Sequence, residues 1–241
     1  MASLTTSAAG ITALIGEEGA VDGLYDDPSG YCTFGVGHLV HPTNKWSGFL
    51  LAAATANDAW KAQLGSVGAW RYVPRGATGW SDFSDLTAQA VTRGADRVGQ
   101  AAAQAAVQRE ADLLGQKVAD VLAVDLGGQY EEAVNGAVTG VALTQDEFDA
   151  LVSLCFNIGT GGFRTSTAVR LINQNQYRSG SDAAARQAAI TGIENAFAMW
   201  NKSGGRVAPA LAARRKRESD RFLRGAREEL ARMGVAVPAQ P

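Results

Sequence analysis

The sequence predicts an α+β fold that is mostly helical, and three observations carry that expectation. The apolar residues Ile11, Leu14 and Ile15 follow Thr6 and Ser7 at helical spacing. A short turn-and-strand segment follows between Asp27 and His38. An Ala- and Gln-rich stretch over residues 87–118 and an apolar run over 151–156 then read as longer helices.

Taken in order, the first helix starts at Thr6 or Ser7 and ends at Gly19, a residue that tolerates the left-handed conformation found just past a helix end. Glu18 continues the 11, 14, 15 series and is expected on the inward face, with Glu17 toward solvent. Asp27-Pro28-Ser29-Gly30 fits a type I turn. Residues 31–34 form a strand with Tyr31 and Thr33 on one face, Cys32 and Phe34 on the other. If Phe34 packs on the core, Thr33 faces an open side. Gly35 and Gly37 permit close approach of another chain or a sugar ring.

This arrangement has a chemical meaning. A carboxylic acid on an apolar helix face keeps its proton to higher pH, whereas one on a polar turn stays ionised. Two carboxylates in such unlike settings are what glycosidic bond cleavage uses. The plainer readings stay open beside it. Glu18 is also suited to an ion pair or cap, Asp27 to bonding its own turn backbone, and Asp22 and Asp26 are rival carboxylates.

Composition narrows the class. The 241 residues, 46% apolar and 19% charged, suit an ordinary globular chain of one large domain or two small ones. No run of eighteen apolar residues exists, so no integral membrane segment is expected. The N-terminus lacks the basic-then-apolar pattern of a secretory signal. Cys32 and Cys155 are expected as buried free thiols, with a disulfide left open. His38 and His41 have no Cys or third His at zinc-ligand spacing, so no metal is expected. Basic residues crowd 214–232, interleaved with Glu218, Asp220, Glu228 and Glu229. The preferred reading is a solvated helix face laced with i,i+4 pairs; the sharper one is attraction to an anionic wall or lipid head groups. The net charge of −2 and the lack of a recognition signature argue against nucleic acid as a partner.

Glu18-Gly19, Tyr25, Asp27, Thr33, Gly35, Gly37 and His38 resemble, in order and spacing, the signature of phage-type lysozymes, glycoside hydrolase family 24. Residues 143–167, with Asn157, Gly159, Gly162 and Phe163, and residues 200–222, with Trp200, Gly204, Gly205, Arg214 and Arg215, resemble later blocks of the same family. The resemblance covers roughly 10–42 and 107–225. It implies a lysozyme-like fold: a small β-hairpin lobe, a larger helical lobe and a cleft between. It further implies a cofactor-free enzyme hydrolysing the β-1,4 bond between N-acetylmuramic acid and N-acetylglucosamine in bacterial peptidoglycan. Glu18 would be the general acid, with Asp27 and Thr33 placing and activating water. Inversion would need carboxyl groups on the order of 6.5–9.5 Å apart. Tyr25, Asn157, Gly159 and Phe163 would border the sugar, although Asn157 equally suits a helix cap. His38 would anchor the hairpin.

The expected organisation is a single domain over 1–241 with a family-atypical insertion at about 43–106. That insertion holds Trp46, Trp60, Trp70 and Trp80 and is expected to extend one wall of the cleft. The setting implied is a monomeric phage endolysin, held in the host cytoplasm before lysis, or a virion-borne domain. A chitin or chitosan hydrolase on the same fold and a non-catalytic glycan-binding module are the alternatives.

Overall fold

The computed structural model describes residues 3–27, 29–41, 48–50, 80–114 and 116–234. The chain divides into two compact units, residues 18–122 and residues 1–17 with 123–241.

In the first unit, β1 (Val21–Asp26), β2 (Cys32–Gly35) and β3 (His38–Leu39) form an antiparallel sheet in the order β1-β2-β3. The register pairs Leu24 with Phe34 and Phe34 with His38, and one step along it pairs Tyr25 with Thr33 and Thr33 with Leu39. Since side chains alternate, the first row faces the core and the second the opposite side. Leu24, Cys32 and Phe34 join Val40, Phe49, Leu50, Ala90, Ala106 and Val107 in one apolar cluster.

The Ala/Gln-rich segment supplies the other side of that cluster, as more than one helix. Gly99 takes φ +87° and separates α2 (Trp80–Val98) from α3 (Gln100–Leu114). A side chain there would be strained, so the glycine turns the chain where composition alone suggested continuous helix. α2 and α3 pack together. A Cβ built at Gly94 would lie 2.9 Å from the Ala103 Cβ, so the small residues set the close approach. α4 (Val118–Asp125) follows, and its Val118 side chain meets the bare face of Gly35. The unit carrying the hairpin is therefore largely helical itself.

The second unit holds the first helix, α1 (Ala8–Glu18), up to Glu17. A π-helical turn over Leu126–Tyr130 leads into α5 (Glu131–Ala137). α6 (Gln145–Arg164) is the central helix, packed by α5 and by the C-terminal helix α10 (Pro209–Arg232). α7 (Thr167–Asn173), α8 (Gln176–Ser179) and α9 (Ala183–Ala198) lie between them in sequence, and Lys202–Ser203 and Arg206–Val207 make a two-stranded hairpin, β4-β5, before α10. Thr144 and Glu147 form a reciprocal capping box at the start of α6. Phe148, Leu151 and Leu154 are fully buried.

α1 starts as its sequence predicts: Ser7 Oγ accepts from the Gly10 N–H at 3.0 Å, and Gly19 ends the helix at φ +73°. Its buried face differs from the expectation. Gly10 and Leu14 are buried, and Glu17 is 15% exposed, while Ile11 and Ile15 are half-buried and Glu18 is exposed. The cause is a polar dock. Ser7 donates through N–H and hydroxyl to the buried Asp149 carboxylate, at 3.0 and 2.5 Å. A Cβ at Gly10 would strike Asp149 at 2.6 Å. Glu17 accepts two hydrogen bonds from Arg217 at 2.6 and 2.7 Å.

The basic C-terminal helix also departs from a simple solvated face. Arg214 and Arg215 are buried against Glu218. Arg221 reaches Asp146 and Asp149, Arg224 reaches Asp146, and Arg227 reaches Glu194 and Asp220. Some i,i+4 pairs are present, among them Lys216–Asp220 at 2.6 Å, but most arginines tie α10 to other elements.

Candidate active site

Glu18, Asp27 and Thr33 all fall in the unit of residues 18–122, Glu18 as its first residue. Glu18 is the last residue of α1 and is exposed, so the expectation that an apolar helix face surrounds it is corrected.

Asp27 organises the turn as the plain reading held. Its Oδ1 accepts from the backbone N–H groups of Ser29 and Tyr31, both at 2.8 Å, and its carbonyl accepts from Gly30 N–H at 2.9 Å. Gly30 sits at φ +81°. Only Oδ1 is engaged among the described residues, so the turn holds the carboxylate rigidly and leaves Oδ2 for another donor. Asp26 lies exposed on β1 with a long 3.4 Å contact from Gly48 N–H.

Thr33 is 3% exposed rather than open, and its hydroxyl donates to the Tyr31 carbonyl at 3.1 Å. Its cross-strand partner Tyr25 is half-buried on the same face. Burial pushes the Tyr25 phenol up, the backbone N–H of Gly37 opposes it, and the Asp27 charge adds to the rise. The phenol is thus a neutral donor throughout ordinary pH. Tyr25, Thr33 and Asp27 form one patch of the hairpin.

Beneath it lies a buried group that the sequence reading missed. Glu110 is fully buried and accepts from the N–H groups of Phe49 and Leu50 at 2.9 and 2.7 Å, and its Oε1 lies 2.8 Å from His41 Nε2. Glu110 continues the α3 series Ala103, Ala106, Val107, so a charge on an apolar stripe was the available signal. His41 ties the hairpin's end to α3, and His38 is half-buried, paired in register with Phe34. Cys32 lies close enough that ligand atoms of Cys32, His41 and Glu110 are all within 4.8 Å of one another. The 2.8 Å separation suits a hydrogen bond. Two donors on one tetrahedral zinc stand about 3.3 Å apart, from bonds of about 2.0 Å. Both Glu110 oxygens already have backbone donors, so the cluster fits an internal cap better than a cation. Cys32 and Cys155 are buried free thiols; burial pushes Cys32 far up and Cys155 up to about 12.

Asn157, Gly159 and Phe163 all lie in the other unit. α6 kinks at Gly159 (φ 79°, ψ 154°) instead of ending there. Asn157 does not cap the helix end. Its side chain is exposed, and Oδ1 accepts from the buried Arg215 at 2.6 Å. Phe163 is fully buried, so it is a core residue and not a sugar contact. Trp200 packs against Gly162. Trp46, Trp60 and Trp70 lie outside the described residues, as does the side chain of Trp80.

The comparisons place these observations. The family model for phage lysozyme matches residues 82–218, more than half of the chain. The chain belongs to the phage lysozyme family. That match begins within the stretch expected to be atypical, contains Asn157 and Gly159, and does not contain Glu18, Asp27 or Thr33. An endolysin of Bacillus phage B103 is 34% identical over 109 residues, covering 44% of this chain and 36% of that protein. An endolysin of Salmonella phage P22 is 33% identical over 111 residues, covering 46% of this chain and 65% of that protein. The chain thus spans about a third of the Bacillus phage relative. A crystal structure of a P22 lysozyme mutant superposes with a TM-score of 0.50 at 25% identity, over 91% of this chain and 99% of that one. The mostly helical α+β fold is lysozyme-like, as the sequence predicted.

Proposed function

We propose that this chain is a peptidoglycan hydrolase, a muramidase cleaving the β-1,4 bond between N-acetylmuramic acid and N-acetylglucosamine, and that it serves as a phage endolysin. Family membership supports the class, and the Asp27 turn is the observation that carries the chemistry. A carboxylate pinned at one oxygen by two backbone N–H groups has fixed direction, and its free oxygen can accept a proton from water. Thr33, whose hydroxyl has lone pairs to spare, would help to hold that water. Glu18, at the end of α1, would protonate the leaving oxygen. Glu18 is exposed, so it is open to a bound glycan. Displacement in one step with inversion needs the two carboxyl groups on the order of 6.5–9.5 Å apart around that water. Tyr25 would donate to a sugar from the hairpin; in the helical unit, Asn157 and Gly159 would be sugar contacts of their own. No metal or cofactor would be needed, and residues 1–241 would act as one catalytic domain with an insertion at about 43–106, as a monomer from the host cytoplasm.

The test is release of reducing ends from purified peptidoglycan by the native protein and by Glu18→Gln. The substitution keeps size and removes the acid, so release should fall roughly 10²–10⁴-fold. Undiminished release would remove Glu18 from the mechanism. A folded native protein that binds glycan without releasing ends would point to a non-catalytic module. Activity on chitin alone would point to a different polymer.

A further inference from the structure

The arginines of the helical unit divide sharply by partner. Arg178, Arg186, Arg214, Arg215, Arg217, Arg221, Arg224 and Arg227 each lie within 3.2 Å of a carboxylate oxygen. Arg206 on the β4-β5 hairpin lacks such a partner among the described residues, and Arg232 is 3.9 Å from Glu228. Arg164 and Arg170 likewise have no carboxylate partner and no side-chain hydrogen bond among the described residues. Both are exposed, and both line one cavity of about 520 Å³ together with Gly136, Ala137, Thr165 and Asn173.

The walls of that cavity are fixed independently of any ligand. Asn173 Oδ1 accepts from the N–H groups of Thr139 and Gly140 at 2.9 and 2.8 Å, and its Nδ2 donates to the Ala137 carbonyl at 2.8 Å. These bonds hold the end of α5 to the end of α7. The floor is made by Ser166 and Val169, each 5% exposed. Two uncompensated guanidinium groups on a preformed concave wall repel each other until an anion sits with them. The lining supplies no acidic side chain to do so.

We propose that this cavity is an anion subsite that binds the phosphodiester of a cell-wall glycopolymer of the poly(glycerol phosphate) kind. The proposal rests on the reading that the chain acts on the bacterial wall. A phosphodiester shares one charge over two non-bridging oxygens, and each can accept a forked pair of N–H donors from a different guanidinium. The volume exceeds that of a bare ion and leaves room for the attached glycerol or sugar. In the basic helix α10, by contrast, every arginine except Arg232 lies within 3.2 Å of a carboxylate oxygen. Attraction to an anionic wall is assigned to Arg164 and Arg170 because these two line the cavity together.

The experiment titrates the full chain with poly(glycerol phosphate) at low salt and follows backbone amide shifts. Parallel arms use inorganic phosphate, phosphatidylglycerol vesicles and an uncrosslinked muropeptide carrying free carboxylates. The expected result is saturable movement of the Gly136, Thr165 and Arg170 amides, with the polymer binding at least tenfold tighter than inorganic phosphate. Arg164→Gln with Arg170→Gln should weaken binding by about tenfold or more. Gly136→Leu, at a position where an added Cβ meets nothing within 4 Å, keeps every charge and should weaken it comparably by filling the cavity. Equal affinity for inorganic phosphate, preference for the vesicles or the muropeptide, or indifference to Gly136→Leu would each overturn the assignment. The native protein is assayed in parallel on peptidoglycan stripped of phosphate polymers. Phosphate binding without hydrolysis there would retire the muramidase reading and leave the subsite standing. Hydrolysis without binding would do the reverse.

Discussion

The two compact units bury their charged groups in different ways. In the hairpin unit, Glu110 is enclosed by two backbone N–H groups and one imidazole, and Asp27 is held by two more backbone N–H groups. In the helical unit, Asp149, Glu147 and Glu218 each take at least one guanidinium, from Arg221, from Arg178 and from Arg214 with Arg215, beside neutral donors such as Ser7, Gln145 and Tyr177. Backbone donors fix a carboxylate without consuming another ionisable side chain, so the hairpin can direct an oxygen outward. Guanidinium–carboxylate pairing satisfies both partners and leaves little over. The first mode suits the proposed reactive carboxylate Asp27, and the second suits a scaffold.

The substitution that probes this contrast most severely is Asp27→Asn. The amide oxygen can still accept from Ser29 and Tyr31, so the melting temperature should hold. Release of reducing ends should fall about 10²–10⁴-fold, as for loss of a general base. Retained activity would reduce Asp27 to a turn former and dissolve the distinction. Next in size is Glu110→Leu, which strands two backbone N–H groups and His41. Denaturant unfolding should register a loss of about 3–5 kcal/mol. A loss below about 1 kcal/mol would mean that the cap is dispensable.

The smallest effect is expected at the helical unit's edge. The Arg217 hydrogen bond holds the Glu17 carboxyl below its ordinary value of 4.5, outweighing what burial does in the other direction. A lowered folded value means stability that is present above pH 4.5 and lost as pH falls through the folded value. Solvent screening keeps it small, so Glu17→Gln should cost about 0.2–1 kcal/mol at pH 7 and nothing at pH 2. Unfolding curves at both pH values decide this; a cost that persists in acid would assign Glu17 a packing role instead. Thiol labelling gives a qualitative companion. Cys155, pushed up to about 12 by burial, and Cys32 should both resist alkylation at pH 8 until the chain unfolds.

Much of the site was legible because it is local. Asp27, Ser29 and Gly30 make the turn from their own residue types, and Ser7 caps α1 with its own hydroxyl. Alternation along β2 correctly put Cys32 and Phe34 on the core. Glu18 went astray for a definite reason. Apolar periodicity selected the 11, 14, 15, 18 face, but α1 docks Ser7 and Gly10 onto Asp149 and Glu17 onto Arg217, with Ser7 and Glu17 lying 142 and 200 residues from their partners in sequence. Ion pairs leave no period. Phe163 failed similarly, since a motif position says nothing of which way a kinked helix turns its ring.

The amino-acid sequence by itself determined the elements and their punctuation: caps, turns, glycine breaks and the order of carboxylates along the hairpin, because each depends on neighbours within a few bonds. Only the tertiary structure decided which carboxylates are enclosed and by whom. Glu110 against His41, Asp149 against Ser7 and Arg221, and Arg164 and Arg170 left unpaired beside one cavity are outcomes of chain segments meeting. A buried charge is tolerated only where a distant donor arrives to meet it, and that arrival is a property of the fold.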